Sequence, residues 1–197
     1  MHHQYISTKD VERLKQKARE LKRSTGITHN VALDEIAKKY GFNHWHHVTQ
    51  SNEPFKLAEN SFSKGYVLAF DVKDAFEIES DELLIEDELL RYVVKNSLFV
   101  IYSNSIYEND NATESTRTIK EVYSPEKLEE NFFDYLNNYK FFRLNESMWN
   151  ESLTTLPKFL RNYSFWMPEI IWVKGKLINT YDLPAEDEDG NIIGVRF

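Results

Sequence analysis

Ile170-Ile171-Trp172-Val173-Lys174-Gly175-Lys176-Leu177-Ile178 is the stretch that decides the fold of this chain. Two short apolar runs flank Lys174-Gly175-Lys176, and a glycine between strand-forming runs signals a tight hairpin. Upstream of it, Ser124-Pro125-Glu126 reads as a helix start: a capping serine, a proline in the first turn and an acid near the positive end of the helix dipole. Leu128, Phe132, Tyr135, Leu136 and Tyr139 mark one face of that helix. A further helix is expected over about 151–163, on Leu153, Leu156, Leu160 and Tyr163, with Pro157 in its first turn or at a break. Residues 66–70 and Phe76 form a strand candidate, and 83–94 reads as a helix or a strand-turn-helix. Residues 97–102, Ser-Leu-Phe-Val-Ile-Tyr, read as the clearest strand, and 119–123 as another. Residues 104–117 read as a polar loop, and Asp189-Gly190 before Asn191-Ile192-Ile193 as a second hairpin signal. Strands, then helices, then hairpins predict an α+β domain with antiparallel strands rather than alternating strand–helix–strand units.

The first 52 residues have a different pattern. Ser7 or Thr8 can cap a helix, with Asp10 placed as in a capping box. Val11, Leu14, Ala18 and Leu21 recur at helical spacing, and Gly26 is a natural stop. Thr28 or Asn30 can cap a second helix whose buried stripe is Leu33, Ile36, Ala37 and Tyr40, ended by Gly41. A short third helix is expected over about 44–51, capped by Asn43, with Phe42, Trp45 and Val48 completing a minimal core. Residues 53–64 are polar, contain Pro54 and read as a linker. The expected organisation is therefore a small three-helix, helix-turn-helix-like module over 1–52, a linker over 53–64 and a larger α+β domain over 65–197.

Charge divides the same way. The net charge of −8 hides nine Lys and Arg against five acids in residues 1–52, and 15 bases against 27 acids in the remainder. All six histidines lie in the basic part. Lys15, Arg19, Lys22 and Arg23 on the first helix, with Lys38 and Lys39 on the second, are the candidate binding residues for an acidic partner, either a DNA backbone or a protein. In a DNA-reading helix-turn-helix, Ala37 and Gly41 would suit the turn, but the next apolar position falls on His47.

The pattern Leu14-x3-Ala18-x2-Leu21, then Ile27-x-His29-x2-Ala32-Leu33-x2-Ile36-Ala37-x3-Gly41-Phe42-x2-Trp45, resembles a small N-terminal module of plasmid, phage and integrative-element proteins. Some of these are described as glyoxalase-related. The resemblance covers about residues 8–48 and implies a mobile-genetic-element setting. It does not imply glyoxalase chemistry, which needs metal-binding His and Glu spaced on strands, and no such set can be written here.

Composition excludes several classes of chemistry. The chain has no cysteine, which rules out disulfides, thiolate zinc sites, iron–sulfur clusters and a cysteine nucleophile. Its six glycines form neither a G-x-G-x-x-G nor a Walker-type loop. No apolar run approaches the length needed to span a membrane, and residues 1–5 lack a signal-peptide pattern, so a cytoplasmic setting is expected. No cofactor and no metal are expected: His44, His46, His47 and His29 read as the polar face of a short helix.

Three further segments carry possible chemistry. Asp71-Val72-Lys73 fits half of a magnesium nuclease core and defines the alternative reading, a metal-dependent nuclease or hydrolase using Asp71 and Lys73. Its second acid would be Glu53 or Glu59. Asp187-x-Asp189-Gly190 is similar to part of a calcium loop, but aligning it on the glycine puts Ala185 and Arg196 at ligand positions. The twelve aromatics between Phe132 and Trp172 read chiefly as core, with base stacking or partner anchoring as other uses. The function expected from all this is a non-enzymatic accessory protein of a mobile element that binds nucleic acid or a host or defence protein.

Overall fold

A computed structural model describes residues 5–108, 117–180 and Leu183. The chain divides into two compact units, Met1–Asn60 and Ser61–Phe197. The expected hairpin at Asp189-Gly190, the calcium-like loop and most of the 104–117 loop lie outside the described residues.

The first unit is helical. Helix α1 (Thr8–Thr25) begins at Ser7, whose hydroxyl accepts the Asp10 N–H, and ends at Gly26 in the left-handed region at φ 75°. Helix α2 (His29–Lys39) begins at Thr28, whose side chain accepts from Val31 N–H. Ala18, Ala32 and Ala37 are fully buried where the two helices meet, so their backbones approach closely. Val11, Leu14, Ile36, Phe42 and Val48 fill the rest of the core, with Leu21, Leu33, Tyr40 and Trp45 packed against it.

The third helix differs from expectation. Helix α3 (Trp45–Lys64) is not a short helix followed by a linker: it runs through Pro54 and across residues 53–64. Its buried positions include Val48, Asn52, Ala58 and Ser61, and three of these are small or polar. Val48 and Asn52 are four apart and Ala58 and Ser61 three apart, so each pair shares a helical face, but their chemistry resembles that of a linker. Asn52 is buried because its amide donates to Ile6 O at 2.9 Å and Thr8 Oγ1 at 3.3 Å, which ties down the start of the chain. Asn43 is not the cap of α3. The Trp45 N–H donates to Asp34 Oδ1 at 2.8 Å, and His44 Nδ1 accepts the His47 N–H at 3.0 Å.

The second unit has an α+β fold. Its strands β1 (Tyr66–Asp71), β2 (Leu84–Glu86), β3 (Tyr139–Leu144), β4 (Ile170–Val173) and β5 (Lys176–Ile178) form one sheet in the order β2-β3-β1-β4-β5. Every neighbouring pair is antiparallel. The β4–β5 hairpin turns at Lys174 (φ 50°) and Gly175 (φ 75°), two consecutive left-handed residues that match the twist of the flanking strands.

The helices of this unit are α4 (Leu90–Asn104), α5 (Ile119–Val122), α6 (Pro125–Asn137) and α7 (Leu156–Leu160). Residues paired across an antiparallel sheet share a face. On one face Leu68, Phe142 and Ile171 line up with Tyr66, Phe70 and Leu144, and they pack with Leu156, Leu160 and Leu183. On the other face are Val67, Ala69, Phe141 and Trp172. The Trp172 indole N–H donates to Ser97 Oγ of α4 at 2.8 Å.

Several expectations for this unit are corrected. Residues 97–102 are not a strand but the second half of α4, where Leu90, Val94, Leu98 and Tyr102 are buried at every fourth position. Residues 119–123 are likewise not a strand: Ile119–Val122 is a helical turn with a Thr118–Glu121 capping box. Phe76 lies in a 3-10 turn (Asp74–Glu77) and is exposed. The helix expected over 151–163 shrinks to α7, which begins beside Pro157. β3 is an interior strand paired with β2 and β1, yet its first residue reads as the tail of the preceding aromatic helix, because Tyr139 continues that helix's apolar spacing.

Gly65, just before β1, is required for packing rather than for a special backbone angle. A Cβ there would overlap the Trp149 indole, 2.5 Å from its Cδ1, and that indole N–H donates to Leu144 O at 3.1 Å. Gly65→Ala is expected to lower stability by about 1–3 kcal/mol, as overpacking does. A shifted urea midpoint with unchanged slope is the expected readout, and an unchanged midpoint would mean that Trp149 swings aside freely.

Candidate functional site

The basic side chains of the first unit fall into separate groups. Lys15 forms an ion pair with Glu12 at 2.5 Å, and Arg19 acts electrostatically on the same carboxylate, so these two are partly neutralised within α1. Lys22 and Arg23 occupy the last turn of α1, and Lys38 and Lys39 the last turn of α2. None of these four has a carboxylate within ion-pair distance among the described residues. Each also sits where a cation offsets the helix dipole, which gives it a structural use independent of any partner.

Because α2 doubles back along α1, its end returns to the middle of α1. The Lys17 Nζ lies 5.3 Å from the centre of the Tyr40 ring. A hydrogen bond with Lys17, reinforced by the charges of Lys17, Lys39 and Arg13, pulls the Tyr40 phenol below its ordinary range. Arg13 itself pairs with Asp10 at 3.2 Å. The hairpin thus concentrates positive charge around one phenol. Lys22 and Arg23 lie on α1 about 7.5–9 Å further along the axis from Lys17, at 1.5 Å per residue. The sequence marks Tyr40 only as part of the buried stripe of the second helix and does not mark Lys17 as a binding residue. Their partnership crosses between two helices, and no spacing within one helix indicates it.

The helix-turn-helix position is filled in an unusual way. His47 stands where an apolar residue is wanted, is half-buried, and sets its ring edge-on to Phe42 at 5.5 Å. Its Nδ1 accepts the Asn43 N–H at 3.3 Å, while His44 Nδ1 accepts the His47 N–H. Both imidazoles therefore serve the start of α3. Among the described residues no three His, Asp or Glu side chains come together as a metal-binding group.

The residues of the alternative hydrolytic reading belong to different units, Asp71 and Lys73 to the second and Glu53 and Glu59 to the first. Asp71 Oδ1 accepts the Lys73 N–H at 2.7 Å in a local turn after β1. Glu53 pairs with Lys56 at 2.7 Å, and Glu59 accepts the Thr8 N–H at 3.3 Å, both within the first unit. The aromatic-rich segment is mostly core: Phe132, Tyr139, Phe141, Phe142 and Trp172 are buried. Three of the bases near it are engaged. Lys140 pairs with Glu86 at 3.5 Å, Arg143 with Asp87 at 3.0 Å, and Arg161 stacks on Phe165 at 4.5 Å.

No helix among the described residues is long and apolar enough to cross a membrane. Comparison of the chain with protein-family models, curated proteins and solved structures gives no match.

Proposed function

We propose that this protein acts by binding rather than by catalysis, and that its first unit engages the phosphate backbone of a nucleic acid. The observation that carries this reading is the convergence of cationic side chains where α2 folds back on α1, with the Lys17 Nζ 5.3 Å from the centre of the Tyr40 ring and Lys38 and Lys39 in the turn just before it. Lys22, Arg23 and Lys38 extend the cationic surface. Phosphates attract such charge without regard to base sequence. With His47 packed on Phe42, the start of α3 has less polar surface for reading bases. The resemblance of residues 8–48 to modules of plasmid and phage proteins supports a role as an accessory factor of a mobile element, working in the cytoplasm where such nucleic acid is found.

The full-length chain is expected to bind a short DNA duplex weakly, with a Kd of about 10–100 μM at physiological salt, because the acidic remainder repels the duplex. Lys22→Gln with Arg23→Gln, and separately Lys17→Gln with Lys39→Gln, should each flatten the log–log salt slope by about 2, equally for two unrelated sequences. Lys15→Gln should change it by less than about half a unit, since Glu12 already offsets that charge. Fluorescence anisotropy at several salt concentrations measures all of this, and circular dichroism separates binding losses from loss of helix. No binding at low salt would overturn the reading, as would tight binding to one site that ignores these four bases.

A further inference from the structure

Helices α4 and α6 leave an open recess of about 320 Å³ between them, with Phe99, Leu128 and Phe132 as its apolar lining and Lys95 and Glu129 at its edge. Phe99 and Phe132 meet edge to face at 5.0 Å, which makes a firm aromatic floor. A wider recess of about 520 Å³ shares Lys95, Glu129 and Phe132 and adds Phe133, Glu126, Glu130 and Asp134. Phe133 is 59% exposed. Glu130 pairs with Lys127 at 2.8 Å, whereas Glu129 and Asp134 make no ion pair among the described residues. The groove therefore has an apolar floor, a protruding aromatic side chain and a rim on which carboxylates outnumber the single Lys95.

We infer that this groove docks a lysine- and arginine-rich amphipathic segment of a partner protein, whose apolar side chains meet Phe99, Leu128 and Phe133 while its bases meet Glu129 and Asp134. Helix-in-groove recognition uses this combination of apolar anchors and complementary charge. The rest of this chain does not supply such a segment. Residues 109–116 hold Asp110 and Glu114 and no base, and 184–197 hold Glu186, Asp187, Glu188 and Asp189 against Arg196. The cationic α1 of a second copy already buries Val11, Leu14 and Ala18 in its own unit, so it brings charge without an anchor. The inference is independent of nucleic-acid binding by the first unit.

The test uses the full-length protein and three labelled peptides of about 18 residues: a helical Lys/Leu peptide with leucines at i, i+3, i+4 and i+7, a Lys/Ser peptide of equal charge, and a Glu/Leu peptide. The Lys/Leu peptide is expected to bind at about 1–10 μM, the Lys/Ser peptide at least about tenfold more weakly, and the Glu/Leu peptide not at all. Phe133→Ala, and separately Glu129→Lys with Asp134→Lys, should each weaken the Lys/Leu peptide about tenfold. Glu79→Lys with Glu82→Lys makes the same charge change at exposed positions outside the groove and should act within about twofold. Thermal melts confirm that each variant remains folded. Equal binding of the Lys/Ser peptide, or equal loss in the Glu79/Glu82 control, would overturn the inference by reducing it to diffuse attraction. Absence of binding would also overturn it, and so would a dimer in sedimentation that Phe133→Ala dissolves, which would assign the groove to a second copy.

Discussion

Leu98→Ala is expected to cost about 2–5 kcal/mol of stability, and Val100→Ala no more than about 0.5 kcal/mol. The two residues are two positions apart in the same apolar run. Leu98 is fully buried, while Val100 is 58% exposed. In a strand they would share a face and both would matter; on a helix they point about 200° apart. Removing the Leu98 side chain leaves a cavity among residues held by the sheet, with Val94 and Tyr102 one turn away on either side. Urea unfolding of both variants decides the question directly, and comparable losses at the two positions would favour a strand over 97–102.

Asp87→Ala is the second large effect, at about 3 kcal/mol. The Arg143 Nε donates to Asp87 Oδ2 at 3.0 Å, with the side chains only 15% and 14% exposed. Asp87 also accepts the Leu89 N–H at 3.0 Å just ahead of α4, so it joins β3 to the start of that helix. Its loss leaves a guanidinium with little access to water and no counter-charge. Asp87→Leu with Arg143→Met removes both charges together and is expected to recover most of the loss, because the desolvation cost of the pair disappears as well. A double-mutant cycle in urea measures the coupling. A cost below about 1 kcal/mol for Asp87→Ala would place the pair with ordinary surface ion pairs.

Where local chemistry was decisive, the sequence was legible. Ser7, Gly26 and Thr28 delimit α1 and α2 because side-chain caps and a left-handed glycine act on their own backbone. Ser124-Pro125 starts α6 and Lys174-Gly175 turns the final hairpin for the same local reason. Apolar runs were harder to assign. Residues 97–102 have the composition of a strand, and only the repeat from Leu90 through Val94 and Leu98 to Tyr102 marks the helix. Tyr139 suits both the end of the α6 stripe and the start of β3, and the pairing of β3 with β1 settles it. The candidate site was legible as a set of bases but not as an arrangement, since Lys17 and Tyr40 come together only when α2 folds back.

By itself the sequence determined an α+β chain with a basic helical start and an acidic remainder, because hydrophobic period, caps, turn residues and charge are all properties of neighbouring residues. Tertiary structure alone decided that α3 continues through Pro54, since burying Asn52 and Ala58 favours helix across a stretch that is polar in composition. It also decided which bases remain unpaired, and that Phe133 stands exposed beside the acids of α6. Those outcomes depend on residues distant in sequence meeting in space, where burial and pairing outweigh local preference.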